Sequence, residues 1–149
     1  GVMPGTYGSK LISVVHSDTL PSHQGVVLLF DPENGRPIAL LDATSITAIR
    51  TAAASALATD SLALPDADTL AILGTGEQAL MHAQAICAIR SIRQIRIWGR
   101  NPDKASGLAK RLEKELNIAT RATASPGEAA KEAAIICTAR PGVDLWRCG

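Results

Sequence analysis

The residues Gly74 to Ala79 carry the most specific chemical signal in the chain, because they match the pattern Gly-x-Gly-x-x-Ala. Gly74 permits a tight turn, Gly76 lets a pyrophosphate approach the backbone N–H groups that open a helix, and Ala79 allows the helix to pack closely on the preceding strand. A glycine-bearing turn without a ligand is the alternative interpretation. The apolar run before the motif and the helical pattern after it favour dinucleotide binding.

The residues that end the next apolar run indicate which dinucleotide is bound. A domain that prefers NAD often carries Asp or Glu there, about 20 residues after the glycine motif. This chain has Gly99-Arg100-Asn101 instead, and its next carboxylate is Asp103 in the following predicted helix. The Arg100 guanidinium can pair with a 2′-phosphate, and Asn101 can add a hydrogen bond, although a solvated surface charge is the alternative for Arg100. The pattern favours NADP(H), with NAD(H) as the second choice.

Two further cations, Lys10 and Arg50, are candidates for substrate contacts. Lys10 follows Gly8-Ser9 at the predicted start of a strand, where an edge-strand lysine is the simpler interpretation. Arg50 lies among small apolar residues of a predicted helix, so its charge needs a partner or a ligand, and spacing alone favours a salt bridge. His23 is predicted to be structural rather than catalytic, and His82 is predicted to be a packing or a surface residue. No Ser/His or Cys/His arrangement indicates nucleophilic catalysis.

The first part of the chain, which must position Lys10 and Arg50, is predicted to be mainly β-structure. Strands are predicted at 10–16, 25–30 and 37–41, and the turn residues 31–35 join the last two as a hairpin. A helical period then covers 45–60, with Thr44 or Ser45 as its N-cap. Residues 60–68, which contain Pro65, are predicted to be a linker.

From Thr69 onward, strands and helices alternate. Asn101 is predicted to cap a helix whose charged side chains, Lys104 among them, are predicted to form an ordinary solvated face. Ser125 is predicted to open a capping box before a later helix. The predicted strands are 69–73, 94–98, 118–122 and 134–138, and the predicted helices are 77–89, 101–116 and a short one after Ser125. This alternation predicts a parallel sheet with right-handed crossovers. The fold class is therefore α/β, with a Rossmann-type parallel sheet domain and part of a second, β-rich domain.

Composition limits the partners that the protein can have. The 149 residues include 15 basic and 14 acidic side chains, and only 3% are aromatic, which argues against a nucleic-acid partner. No apolar run is long enough to span a bilayer, and no signal peptide is visible, so no membrane partner is expected. The three cysteines are too few and too scattered for a disulfide framework or a metal site, and they predict a reducing, cytoplasmic location.

Four segments, in order and spacing, resemble the ornithine cyclodeaminase and mu-crystallin family. The segments are 8–12, 21–32, 46–53 and 73–79. Their most specific parts are the Thr-x-x-Arg-Thr-Ala-Ala sequence that begins at Thr47 and the Gly-x-Gly-x-Gln-Ala form of the glycine motif. The agreement extends to about Thr138. The family's active site also uses an arginine and an aspartate that no segment here matches, so we expect the chain to be a portion of a longer family member.

The resemblance implies two domains and a role for each candidate residue. We assign residues 1–61 to part of a substrate-binding and dimerisation domain with its connecting helix, and residues 62–149 to an NAD(P)-binding Rossmann domain. The resemblance implies that Lys10 lies near the substrate and that Arg50 binds the substrate carboxylate. The cofactor-binding residues that it implies are Gly74, Thr75, Gly76, Glu77, Gln78, Ala79, Gly99, Arg100, Asn101 and Thr138.

The resemblance further implies an NAD(P)H-dependent oxidoreductase that reduces a cyclic imino acid, such as Δ1-pyrroline-2-carboxylate, to the amino acid. One alternative is an ornithine cyclodeaminase that converts L-ornithine to L-proline and ammonia with bound NAD, against which the missing ribose-binding carboxylate argues mildly. Another is an NADPH-dependent binding protein for small hydrophobic carboxylates. The expected partners are a small amino or imino acid and a second copy of the chain in a homodimer.

Overall fold

The computed structural model describes residues 2–3, 5–14 and 23–139 of the chain, and it divides into two compact units, Gly1–Ile49 and Arg50–Gly149. The boundary between the units falls inside a helix, α1 (Ala43–Leu62). Several expectations lie outside the described residues: the strand end at 15–16, the segment 21–22, the side chain of His23, and the tail after Ala139 with Cys148. The assignment of 1–61 and 62–149 to two domains stays a prediction.

The first unit contains a four-stranded antiparallel sheet with strand order β1-β2-β3-β4. The strands are β1 (Val2–Met3), β2 (Thr6–Val14), β3 (His23–Phe30) and β4 (Pro37–Asp42). The pairing of β3 with β4 confirms the predicted hairpin. The predicted start of β2 is wrong, because the strand begins at Thr6 and Lys10 lies in its middle. A Cβ on Gly8 would lie 2.7 Å from the Leu28 carbonyl oxygen. Glycine usually weakens a strand, but here its missing side chain allows β2 and β3 to pair closely.

The helix α1 follows β4 without a loop, and Asp42 is its N-cap. One carboxylate oxygen, Asp42 Oδ2, accepts hydrogen bonds from the backbone N–H of Ser45 at 3.0 Å and from the Ser45 hydroxyl at 3.1 Å. The backbone N–H groups of Ser45 and Thr44 lower the pKa of Asp42. The prediction of Thr44 or Ser45 as the cap is therefore wrong, since the helix starts earlier than its apolar period indicates.

The second unit contains a parallel sheet with strand order β7-β6-β5-β8, which confirms the predicted alternation. The elements are β5 (Thr69–Leu73), α2 (Glu77–Ile89), β6 (Gln94–Trp98), α3 (Pro102–Leu116), β7 (Ala119–Ala122), α4 (Pro126–Ala130) and β8 (Ile135–Thr138). The central strands β5 and β6 bury Leu70, Ile72, Ile95 and Ile97 completely. In a parallel sheet the carboxyl ends of neighbouring strands meet at one edge, so the residues after β5, β6 and β8 are brought together.

Side-chain caps set the starts of α3 and α4. Asn101 Oδ1 accepts the backbone N–H of Lys104 at 3.0 Å, with Pro102 at the first helical position, as predicted. Ser125 Oγ accepts the backbone N–H of Glu128 at 3.1 Å. The Glu128 carboxylate accepts the N–H of Ala124 at 3.0 Å rather than that of Ser125, so the predicted capping box closes one residue earlier than its usual form.

None of the helices in the described ranges combines the length and the apolar character that crossing a bilayer requires.

Candidate functional site

The turn between β5 and α2 has a backbone that requires glycine at its first position. Gly74 has a φ of 149°, and its N–H donates to the Trp98 carbonyl oxygen at 2.8 Å. A Cβ at Gly74 would collide with the carbonyl oxygen of Ala139, the residue after β8. The turn is thus held between the ends of two neighbouring strands, because Ala139 also donates its N–H to the Leu73 carbonyl oxygen at 2.9 Å.

The second glycine of the motif opens the turn to a ligand. Gly76 is the N-cap of α2, no side chain caps this helix, and a Cβ built on Gly76 meets no atom within 4 Å. Backbone N–H groups at an uncapped helix start attract anions, which gain from the helix dipole as well. Ala79 is completely buried, as close packing of helix on strand requires. The turn therefore fits a pyrophosphate group.

The turn after β6 lies directly against the glycine turn. A Cβ on Gly99 would collide with the Thr75 side chain, so glycine is needed where the two turns meet. Together they form a cavity of about 270 Å³. The cavity is lined by Gly74, Thr75, Gly76, Trp98, Gly99, Arg100, Asn101, Lys104 and Ala139. The structure thus brings together six of the ten predicted cofactor-binding residues.

The cavity carries positive charge and no carboxylate, since Arg100 and Lys104 are its ionisable lining residues. Both side chains are exposed, and within the described ranges no ion pair or hydrogen bond engages the Arg100 guanidinium. Asn101 uses its Oδ1 to cap α3, which leaves its amide N–H groups as donors. The interpretation of Lys104 as part of an ordinary solvated face is corrected: it lies in the first turn of α3 and lines the cavity, a place that no local pattern in the sequence signals.

The four remaining predicted cofactor residues lie beside the cavity rather than in its lining. Ala79 packs in the core. Glu77 is exposed at the first position of α2, and Gln78 Oε1 is buried without a hydrogen-bond partner among the described residues. Thr138 pairs with Leu73 in the sheet and is exposed, whereas its neighbour Ala139, which the sequence analysis did not select, lines the cavity. The roles of these residues in binding stay predictions.

Lys10 and Arg50 lie in different units and are described separately. In the first unit, Lys10 Nζ donates to Thr47 Oγ1 at 2.5 Å, and the Thr47 hydroxyl donates to the Ala43 carbonyl oxygen at 2.6 Å. No role is predicted for Thr47 from the sequence, although it begins the Thr-x-x-Arg motif. In the second unit, Arg50 is exposed on α1, and no carboxylate of the described chain forms the expected salt bridge with it.

The described cysteines are not suited to nucleophilic chemistry. Burial raises the pKa of the Cys87 thiol and of the Cys137 thiol to about 11 in each case. Both thiols are consequently protonated near neutral pH, and the thiolate is the reactive form. Across residues 2–3, 5–14 and 23–139, no three His, Cys, Asp or Glu side chains gather where they could hold a metal ion.

A parallel sheet of this strand order, with a glycine turn at the carboxyl ends of its strands, defines a Rossmann-type α/β protein. The sequence profile of the ornithine cyclodeaminase/mu-crystallin family matches residues 3–144. The chain belongs to this family.

Comparison with individual proteins shows what the chain is similar to. It is 40% identical over 127 residues to the ketimine reductase mu-crystallin of Mus musculus, covering 79% of this chain and 41% of the mouse protein. It is 36% identical, with a TM-score of 0.82, to the Δ1-pyrroline-2-carboxylate reductase of Thermococcus litoralis in complex with NADH and L-proline, covering 87% of this chain and 41% of that chain. An archaeal alanine dehydrogenase dimer with bound NAD is 26% identical, with a TM-score of 0.85, and the match covers 95% of this chain and 44% of that chain. The chain thus spans less than half the length of these relatives.

Proposed function

We propose that the protein reduces a cyclic imino acid of the Δ1-pyrroline-2-carboxylate type to the amino acid, with a nicotinamide dinucleotide as the reductant. The observation that carries this proposal is the uncapped glycine turn, which opens onto a cavity lined by Arg100 and Lys104. The similarity to a ketimine reductase and to a pyrroline-2-carboxylate reductase supports the substrate class.

NADP(H) is the proposed cofactor, with NAD(H) as the alternative. Two cations and no carboxylate line the cavity, and a 2′-phosphate is the group of NADPH that such a charge distribution favours. The similar Thermococcus litoralis enzyme is in complex with NADH, so the two cofactors must be compared directly.

Each residue has a defined task in the proposed reaction. The N–H groups at the start of α2 bind the pyrophosphate, and Arg100, Asn101 and Lys104 bind the 2′-phosphate. Arg50 binds the substrate carboxylate with two parallel hydrogen bonds and thereby orients the imine. Lys10, held by Thr47, adds positive charge near the carboxylate or supplies a proton. The bound cofactor supplies the hydride, while the protein supplies orientation and electrostatics.

The proposal extends to assembly and location. Residues 1–61 form part of a substrate-binding and dimerisation domain, and the protein is a homodimer. Exposed apolar side chains in the first unit, Leu11, Ile12, Val14 and Leu40 among them, support an interface there, as does the similarity to a dimeric alanine dehydrogenase. The free thiols of Cys87 and Cys137 support a reducing, cytoplasmic location.

Loss of reduced cofactor with Δ1-pyrroline-2-carboxylate tests the reaction, with NADPH and NADH compared in parallel on the intact polypeptide. We expect faster loss of NADPH.

Arg50→Ala should raise the substrate KM and lower kcat, with NADPH affinity unchanged within about twofold, because only the carboxylate contact is removed. Arg93→Ala is the matched control, since Arg93 is an exposed arginine immediately before β6, and its only ion pair in the described chain, with Asp68, is 4.0 Å long.

Other outcomes of the same assay identify the alternatives. No loss of either cofactor, together with ammonia release from L-ornithine and NAD, would indicate a cyclodeaminase. Stoichiometric binding of a small carboxylate with NADPH and no turnover would indicate a binding protein. A normal substrate KM in Arg50→Ala would contradict the carboxylate contact.

A further inference from the structure

His82, on the buried face of α2, makes two hydrogen bonds that the proposed reaction does not use. Its side chain is only 6% exposed. Its Nδ1 lies 2.6 Å from the Gln78 carbonyl oxygen, and its Nε2 lies 3.0 Å from Ser55 Oγ on α1. Because a carbonyl oxygen only accepts, Nδ1 carries the proton, and in the neutral ring Nε2 accepts from the Ser55 hydroxyl. Both polar ends of a buried ring are thus satisfied.

These bonds join two elements that bind different parts of the proposed complex. Ser55 lies on α1 five residues after Arg50, the proposed carboxylate ligand. Gln78 lies in the first turn of α2, immediately after the glycine turn that is proposed to hold the pyrophosphate. The Ser55–His82–Gln78 chain is therefore a short, direct connection between the helix of the substrate cation and the start of the cofactor helix.

The residues that α1 buries in the second unit are too small to align this helix by shape alone. They are Ala52 and Ala56, and Ala56 belongs to the same buried cluster as Ala79, Leu80, Ala83 and Ile86 of α2. Alanine side chains permit close approach, yet a methyl group is symmetric and gives no direction along the helix axis. A hydrogen bond requires defined donor and acceptor positions, so the Ser55–His82 pair determines how far α1 can slide or rotate against α2.

We propose that His82 is a positioning residue that holds α1, and with it Arg50, in a fixed place relative to the dinucleotide turn. The inference rests on the proposed function for the role of Arg50. By fixing this spacing, the Ser55–His82 bond sets the distance between the bound carboxylate and the cofactor, on which the rate of transfer depends steeply.

Ser55→Ala tests the proposal with the smallest change, because it removes one hydroxyl and keeps a good helix former. The matched control is Ser61→Ala on the same helix, since among the described residues the Ser61 hydroxyl donates only to the Leu57 carbonyl oxygen within α1. Amide hydrogen exchange of the peptides 50–57 and 77–82 should become about threefold to tenfold faster in Ser55→Ala and stay unchanged in Ser61→Ala.

Kinetics on the intact polypeptide separate positioning from a merely structural role. For Ser55→Ala we expect kcat/KM for the imino acid to fall about tenfold, with the Kd for NADPH within about twofold of the original protein. Unchanged exchange would overturn the connection, and faster exchange with normal kcat/KM would overturn the positioning role. An inactive original protein with faster exchange in Ser55→Ala would overturn the proposed reaction and leave the connection standing, since exchange does not depend on turnover.

Discussion

Two cations four residues apart determine the charge of the proposed cofactor cavity. Arg100 lies two residues after the end of β6, and Lys104 lies in the first turn of α3. Sequence reasoning selected Arg100 because of its place at a strand end. It passed over Lys104, because a lysine on an amphipathic helix usually faces solvent, and only the meeting of the two turns shows that it lines the cavity.

Removing either cation should weaken NADPH binding much more than NADH binding. A charge-assisted hydrogen bond contributes about 1.5–3 kcal/mol, so Arg100→Ala should raise the Kd for NADPH about tenfold to a hundredfold, with a smaller effect from Lys104→Ala. Fluorescence titration with each cofactor gives the ratio of the variant's Kd to that of the original protein. Lys110→Ala removes a charge from an exposed position elsewhere on α3 and serves as the control. Equal losses for NADPH and NADH would show that neither residue contacts the 2′-phosphate.

At the scale of elements, the two glycines of the β5–α2 turn have different physical tasks. Gly74 has a positive φ and no room for a Cβ, whereas Gly76 has ordinary dihedral angles and open space where a Cβ would be. The first is needed for the fold, and the second is proposed to leave room for the ligand. Sequence reasoning predicted both tasks, because the motif lies between a strand and a helix.

Alanine substitutions should separate these tasks. Gly74→Ala should lower the free energy of unfolding by about 1–3 kcal/mol, since it combines a strained backbone with a collision against Ala139. Gly76→Ala should lower it by less than about 1 kcal/mol and mainly weaken dinucleotide binding, because the new methyl group occupies the space of the pyrophosphate. Urea unfolding and cofactor titration measure the two effects. Comparable losses of stability in both variants would contradict the assignment.

Element boundaries were predicted less well than the elements themselves. The alternation from Thr69 to Thr138 was predicted because buried strands and amphipathic helices have different apolar periods. The start of β2 and the N-cap of α1 were not predicted correctly. Thr6 joins the strand by pairing with Met3 of β1, and Tyr7–Ser9 join it by pairing with β3. Asp42 caps a helix that starts before its apolar period. Pairing and capping involve partners that a local pattern does not include.

On the scale of the whole molecule, the core of the second unit keeps two thiols protonated. Cys87 of α2 and Cys137 of β8 pack against the same buried cluster, and burial raises the pKa of each to about 11. An ordinary thiol ionises near pH 8.5–9. The unfolded chain therefore loses these protons at a lower pH than the folded chain.

This difference predicts a loss of stability at alkaline pH. Between about pH 9 and about pH 11 the unfolded state binds fewer protons than the folded state, so the free energy of unfolding should fall as the pH rises. Well below about pH 8.5 both states are protonated, and these thiols contribute no pH dependence. Denaturant unfolding across this range measures the slope. The double variant Cys87→Ala and Cys137→Ala should show a shallower slope, and an identical slope would assign the effect to other groups.

The sequence by itself determined the α/β class, the glycine turn, the strand-end arginine and the family, because these depend on periodicity and on short motifs. Only the tertiary structure decided that Lys104 and Ala139 line the proposed cofactor cavity, that Thr47 holds Lys10, and that His82 connects α1 to α2. Each of these contacts joins residues from separate elements. Their partners are set by the order of strands in the sheet and by the packing of helices, which no local spacing encodes.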